Sequence, residues 1–213
     1  METKKLIVTI NRELGSGGRT IGRLLAERLG VKYYDKALIE ELTKKFDLSV
    51  EELEKVKASN FNWWNEFLQG FFDNYRVSCK IDSKLDGEVN IATTDNIFRI
   101  ESQFIKSLAQ DGSCVIAGRS GFYIFRDDPN AVKILIQSPM EKRVARVMEK
   151  QGLSEQEAKK VIEKVDKGRE RYTRDFSGTS RYDTRNYDLV LNVGGMSEEQ
   201  AVDIIMNYIE SIK

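Results

Sequence analysis

Histidine is absent from the 213-residue chain, and its absence removes several kinds of chemistry at once. A Ser-His-Asp triad and a histidine general base both need an imidazole, and so do metal sites with histidine ligands. The catalytic chemistry that remains must use arginines, carboxylates, hydroxyls and backbone dipoles.

Cysteine and long apolar runs are also scarce. The two cysteines, Cys79 and Cys114, lie in no motif, which predicts a reduced protein of the cytoplasm. No apolar run approaches the roughly 20 residues of a membrane span, so we predict no membrane partner. Basic and acidic residues number 34 each, so no overall charge attracts a polyanion such as nucleic acid. Any anion must therefore be bound by local placement of arginines.

Glycine, by contrast, is concentrated in the turn Gly15–Thr20, between an apolar β-type run and an amphipathic helix. Glycines let backbone N–H groups converge on a phosphate without Cβ clashes, and the positive end of the following helix attracts the same group. The hydroxyl of Thr20 stands where it could reach Mg²⁺. The pattern resembles a Walker A loop, GxxxxGK followed by Ser or Thr, but Glu13 and Arg19 replace its first glycine and its lysine. The alternative is a strand-to-helix turn that binds no ligand.

Five short apolar runs separated by helical patterns predict a parallel sheet with helices on both faces. The predicted strands are Lys5–Ile10, Val31–Tyr34, Ser113–Ala117, Ala131–Gln137 and Asp188–Asn192. Ligands of such sheets bind at the carboxyl ends of the strands. The glycine loop, Asp35 and the turn at 118–121 should therefore face one crevice.

Four helices are predicted to begin with a capping box, in which a serine is followed three residues later by Glu or Gln. The serines are Ser49, Ser138, Ser154 and Ser197.

Residues 47–92 break the alternation of strand and helix, which predicts a helical insertion within one domain spanning 1–213. The aromatic side chains of Phe61–Tyr75 follow helical spacing and could bury one face of a helix. The same stretch could instead form a wall for a flat ligand or a second subunit, which would make the protein a homodimer.

Arginines concentrate in the C-terminal half of the chain. Arg143 and Arg146 project from one side of a helix. Residues 166–186 have the composition of a mobile lid, with Gly178 as a hinge. Phosphoryl transfer needs fixed positive charge around the transferring group and the exclusion of water, and an arginine-rich lid over a glycine loop meets both needs. The alternative is that these arginines are solvated surface charges.

Six short motifs, in their order and spacing, resemble the cytidylate kinase-like family, a branch of the nucleoside monophosphate kinases within the P-loop kinases. The motifs are Ile10–Ile21, Tyr33–Lys36, Val115–Ser120, Lys142–Arg146, Asp166–Tyr172 and Tyr187–Asn192. The resemblance runs nearly end to end and is weak from 47 to 92. It implies a three-layer P-loop kinase fold with a helical insertion at the acceptor side and an arginine-rich lid.

The resemblance also implies how ATP and Mg²⁺ would be held. The glycine loop would bind the phosphates, with Thr20 as the metal ligand; its residues are Gly15, Ser16, Gly17, Gly18, Arg19 and Thr20. Arg143 or Arg146 would stack on adenine through its guanidinium.

For the phosphoryl acceptor, the resemblance implies a second set of residues. Asp35 would lie near the acceptor nucleotide, and Arg119 would bind its phosphate. Asp166 and Arg169 match the aspartate and second arginine of the lid pattern RDxxDxxR, which contact the acceptor's sugar and phosphates.

The chain departs from the family pattern in three places. Arg19 replaces the loop lysine, which differs from arginine in reach and geometry. Ser120 stands where cytidylate kinases carry aspartate. Ile162 occupies the first arginine of the lid pattern, so that Arg171 or Arg174 would have to compensate.

The sequence thus predicts an ATP- and Mg²⁺-dependent phosphotransferase whose small-molecule substrate is a nucleoside monophosphate, most similar to a cytidylate kinase. Arg19, Arg119 and Arg169 would neutralise charge as the phosphoryl group moves. Two alternatives stay open: a nucleotide-binding regulatory module that has lost catalysis, and a kinase of another small acceptor, such as a shikimate-like one.

Overall fold

Five short strands form the centre of the structure, a computed structural model that describes residues 5–35, 102, 105–106, 108–110, 112–118 and 120–212. The strands are β1 (Ile7–Arg12), β2 (Lys32–Asp35), β3 (Cys114–Ala117), β4 (Ala131–Gln137) and β5 (Leu189–Asn192). They make one parallel sheet in the order β2-β3-β1-β4-β5. This confirms the predicted parallel sheet, except that β1 continues two residues further than expected and so includes Arg12.

The register of the sheet brings three chain segments to one edge. Ala117 at the end of β3 pairs with Ile10 of β1 on one side and with Asp35 of β2 on the other. Because parallel strands end at the same edge, the residues that follow them are neighbours there. The glycine loop, Asp35 and the turn at Gly118 therefore meet at this edge, as predicted.

Helices cover both faces of the sheet, which confirms the three-layer architecture. They are α1 (Gly18–Leu29), α2 (Gly121–Ile124), α3 (Met140–Gln151), α4 (Glu155–Ser177) and α5 (Glu198–Ser211), and residues 105, 106 and 108–110 are also helical. Side chains of β1 alternate between two buried clusters. Val8 and Ile10 pack with α1 and α5, whereas Ile7 packs with Ile105 and its neighbours on the other face.

Of the four predicted capping boxes, the one at Ser49 lies outside the described residues, and two of the other three form. Ser154 and Ser197 each accept a hydrogen bond from the backbone amide three residues later, and the Glu157 or Gln200 side chain reaches back. The box at Ser138 is wrong: α3 begins at Met140 and its N-cap, Pro139, makes no side-chain cap bond. Glu13 accepts the Ser138 amide that a capping box would use, at 3.1 Å.

This difference between similar sequences predicts a difference in stability. We expect Ser197→Ala to lower the free energy of unfolding by about 1 kcal/mol, because the first turn of α5 loses its cap. Ser138→Ala is the matched control and should change it by a few tenths of a kcal/mol at most. Urea unfolding followed by circular dichroism measures both, and equal losses would contradict the assignment of the caps.

The predicted insertion at 47–92, with the aromatic stretch Phe61–Tyr75, lies outside the described residues. None of the helices in the described part of the chain has the length and apolar character needed to cross a membrane.

Candidate functional site

The glycine loop joins the end of β1 to α1 and packs closely on α3. Gly15 and Gly17 have φ values of +82° and +81°, in the left-handed region that favours glycine. A Cβ atom on Gly15 would lie 2.7 Å from the backbone oxygen of Arg143. The loop can therefore take this course against α3 because residue 15 has no side chain.

The first backbone amides of α1 have no hydrogen-bond acceptor within the helix itself. Its N-cap, Gly17, makes no side-chain cap bond. The Ile21 amide donates to the oxygen of Gly17 at 3.1 Å, so the amides of residues 18–20 precede the hydrogen-bond ladder of the helix. Such donors, together with the helix dipole, make a site for an anion such as a phosphate.

Glu13, which departs from the Walker pattern, connects the loop to the beginning of α3. One carboxylate oxygen accepts the Ser138 amide, and the other lies 3.4 Å from Nη1 of Arg143. A glycine could make neither contact. At the position where the Walker pattern has its first glycine, Glu13 thus holds the loop to the beginning of α3.

Asp166 and Arg143 hold the loop through hydrogen bonds to the backbone of Leu14. The Leu14 amide donates to Asp166 Oδ1 at 3.1 Å, and Arg143 Nε donates to the Leu14 oxygen at 2.8 Å. Arg143 also pairs with Asp166 through Nη2, and both residues are buried. Their predicted roles, an adenine contact for Arg143 and an acceptor contact for Asp166, stay predictions; in the structure these groups face the loop.

Arg146 is more exposed than Arg143. Its guanidinium lies against Gly17, where a side chain would collide with it, and pairs with Glu198 at the start of α5. The hydrogen bond from Arg146 lowers the pKa of the Glu198 carboxyl. Arg146 is therefore fixed beside the loop with a partly open guanidinium.

Arg19 reaches across to the end of β2. Its Nε lies 2.7 Å from Asp35 Oδ2, while 70% of the Arg19 side chain stays exposed and Asp35 is buried. The structure thus joins two residues that the sequence assigned separately to ATP and to the acceptor.

Three further guanidiniums meet beside the loop, and two of them, on Arg12 and Arg181, were not predicted as site residues. Arg169 Nη1 donates to the backbone oxygen of Arg12 at 3.2 Å, and Arg181 Nη2 donates to the same oxygen. Burial, with Arg12 and Arg181 nearby, lowers the pKa of Arg169 to about 9. Burial also lowers the pKa of Arg12 to about 10. We name Arg12, Arg169 and Arg181 the arginine cluster.

The turn after β3 lies next to this cluster. The guanidinium of Arg12 lies against Gly118, which has a φ of +90°. Ser120 Oγ is 3.1 Å from Thr173 Oγ1 of α4, so this departure from the family pattern fixes the turn to a helix. Arg119, the predicted acceptor-phosphate residue, lies outside the described residues.

The predicted lid consists of the end of α4 and the segment after it. Gly178 caps α4 with a φ of +67°, and Arg181 is 2% exposed beside the loop.

Ile162, at the first arginine position of the lid pattern, is buried among Val144, Val147 and Ala158. Arg174 is 65% exposed and paired with Glu170 at 2.5 Å, on the rim of a cleft of about 520 Å³ that Arg143 and Asp166 also line. Movement of the lid segment stays a prediction, and so does a substrate contact by Arg174.

Comparison with known proteins agrees with this architecture. The cytidylate kinase of Pyrococcus horikoshii is 26% identical over 215 residues, covering 100% of this chain and 92% of that protein. A crystal structure of an uncharacterised protein from Eubacterium ventriosum is 26% identical, covers 98% of this chain and 99% of its own, and has a TM-score of 0.71. Shikimate kinase from Acinetobacter baumannii, solved in complex with shikimate, shares the fold with 16% identity and a TM-score of 0.53, covering 100% of this chain and 96% of that one.

A family model matches most of the chain. The model of the cytidylate kinase-like family matches residues 7–194, from the first residue of β1 to the turn after β5. That span contains the whole sheet, the glycine loop and the arginine cluster. The fold is that of the P-loop kinases, and the chain belongs to the cytidylate kinase-like family.

Proposed function

We propose that the protein is an ATP-dependent kinase that transfers a phosphoryl group to a nucleoside monophosphate, with cytidylate as the first candidate acceptor. The observation that carries the proposal is the convergence of the amides at the start of α1 and of partly to fully buried arginines at one edge of the sheet. Family membership supports the kinase class, and the name of the archaeal relative supports cytidylate.

ATP would lie with its phosphates on the glycine loop. The fit is supported by the N-terminus of α1, which has no side-chain cap, and by the glycine at position 17, which lets the Arg146 guanidinium lie against the loop. Mg²⁺, held by the Thr20 hydroxyl and by nucleotide oxygens, would neutralise charge on the phosphates. Arg146 is the better of the two predicted residues for an adenine contact, because its side chain is partly exposed and that of Arg143 is buried.

The acceptor would lie between the loop and the turn after β3. Arg169 and Arg119 would neutralise its phosphate, and Asp35 would lie at the end of β2 beside it. The acceptor phosphate is already ionised near neutral pH, so the reaction needs no general base, in agreement with a chain that lacks histidine. A homodimer and a cytoplasmic location stay predictions.

An acceptor panel tests the proposal. Purified protein with Mg-ATP and each nucleoside monophosphate, with shikimate as a further acceptor, is expected to release ADP fastest with CMP. If no acceptor exceeds the ATP-only rate, the kinase proposal is wrong. ATP binding without turnover in calorimetry would then identify a nucleotide-binding module, which the pairing of Arg19 with Asp35 would favour.

Arg19 provides the matched test of the site. We expect Arg19→Ala to lower kcat by about 100-fold, the usual cost of removing one donor that stabilises transition-state charge. Arg23→Ala, at an exposed position of the same helix, should stay near wild type. Equal rates for the two variants would exclude Arg19 from the chemistry.

A further inference from the structure

The arginine cluster is not balanced by the described carboxylates around it. Together with Arg143 it brings four guanidiniums to the loop, and the carboxylates that pair with them are those of Glu13 and Asp166. The nearby carboxylates of Asp35 and Glu170 are paired with other arginines, Arg19 and Arg174. Among the described residues, the cluster and Arg143 with these two carboxylates therefore carry an excess of about two positive charges, which is about the charge of one phosphate dianion.

Arg181 is the member of the cluster that has buried guanidinium nitrogens without a hydrogen-bond partner among the described residues. It is 2% exposed, and its Nη2 donates to the Arg12 oxygen. Its Nε and Nη1 are buried without a hydrogen-bond partner in the described part of the chain, and the Asp166 oxygen is 3.9 Å from Nη1. A buried donor left unsatisfied costs about 1–3 kcal/mol, and a charged one costs more. A bound anion would remove this cost.

The backbone of Arg181 is held in place from two sides. The Tyr187 hydroxyl donates to the Arg181 oxygen at 2.7 Å, and the Arg181 amide donates to Glu170 Oε2 at 3.1 Å. Asn11, in β1, donates in turn to the Tyr187 hydroxyl. The backbone of Arg181 is thus held through β1 and α4 before any ligand arrives, and such preorganisation favours binding of a phosphate.

We propose that Arg181, together with Arg12, binds the phosphate of the phosphoryl acceptor, a role that the sequence did not assign to either residue. This inference rests on the proposed function. The acceptor is preferred over ATP because the Arg12 side chain extends from β1 past Gly18 to Gly118. The cluster therefore lies between the loop that would hold ATP and the turn after β3.

The matched variants are Arg181→Met and Arg185→Met. Methionine removes the charge while keeping much of the side-chain volume, and Arg185 is 88% exposed in the same segment. Arg181→Met should weaken calorimetric binding of CMP by about 10- to 100-fold, as for loss of a charged hydrogen bond. The Kd for ATP should change less than about threefold, and Arg185→Met should bind both as wild type does.

A second measurement uses the unmodified protein. The Nε–H resonance of Arg181 in ¹H–¹⁵N spectra, assigned by its loss in Arg181→Met or in Arg181→Lys if methionine prevents folding, should shift on titration with inorganic phosphate. A resonance that stays fixed while phosphate moves the loop amides would overturn the inference.

The results separate this inference from the proposed function. Equal CMP affinity in Arg181→Met and Arg185→Met overturns the role of Arg181, even if the protein is a kinase. An equal loss of ATP and CMP affinity would place Arg181 on the donor and overturn the acceptor assignment. Absence of phosphoryl transfer together with a phosphate-dependent Arg181 shift would overturn the proposed function and support an anion site alone.

Discussion

Replacing Gly15 with alanine is expected to lower kcat/KM for ATP by about 100-fold while the chain stays folded. The new Cβ would lie 2.7 Å from the Arg143 backbone oxygen and 3.0 Å from its Cα, so the loop must move away from α3. A displacement of about 1 Å of groups that position a phosphate is enough for a loss of this size. Initial rates at varied ATP, with the best acceptor of the panel held saturating, measure it.

Gly152→Ala is the control for the cost of placing alanine in a left-handed backbone conformation. Gly152 also has a positive φ, +66°, but no atom lies within 4 Å of its missing Cβ. Both variants should lose about 1–2 kcal/mol of stability from the left-handed conformation, and Gly15→Ala alone should lose activity. Wild-type kcat/KM in a folded Gly15→Ala protein would contradict the assignment of the loop as the ATP site.

Replacing Asp166 with alanine should have the largest effect on stability, a loss of about 3–5 kcal/mol in the free energy of unfolding. This buried carboxylate accepts the Leu14 amide and faces the guanidiniums of Arg143, Arg169 and Arg181. Among the described residues, its removal leaves Arg143 paired with Glu13 and takes from Arg169 and Arg181 the carboxylate that they face. Leaving one buried charge without its partner costs far more folding free energy than replacing both charges of the pair.

Asp175→Ala tests whether the effect belongs to the site of Asp166 or to any carboxylate of α4. Asp175 is exposed on the same helix, and its loss should change stability by less than about 0.5 kcal/mol. Urea midpoints and m-values of the two variants give the comparison. Similar losses for both would show that Asp166 does not neutralise the arginines around the loop.

Local patterns predicted much of the fold because they report local physics. Short β-branched runs, separated by segments with helical spacing, located the five strands. The pattern of a serine followed three residues later by Glu or Gln located the caps at Ser154 and Ser197. Parallel topology then predicted correctly that Asp35 and the glycine loop share one edge, and Arg19 pairs with Asp35 there.

The contacts that sequence reasoning missed connect residues far apart in the chain. Nothing near Ser138 reveals that Glu13, 125 positions earlier, accepts its amide in place of a capping box. The contact between Arg181 and the Arg12 oxygen spans 169 positions, and no local pattern separates Arg181 from the exposed Arg185. Arg12 did leave a signal, since it is the last residue of a buried strand, but that strand was predicted to end at Ile10.

The most direct test of the central claim is transfer of the γ-phosphoryl group itself. ³¹P NMR of a mixture of protein, Mg-ATP and CMP should show the CMP resonance replaced by those of CDP, with one ADP formed for each CDP. Gly15→Ala should slow this conversion by about 100-fold. ATP hydrolysis to ADP and inorganic phosphate without a new diphosphate, for CMP and for every other nucleoside monophosphate, would contradict the account.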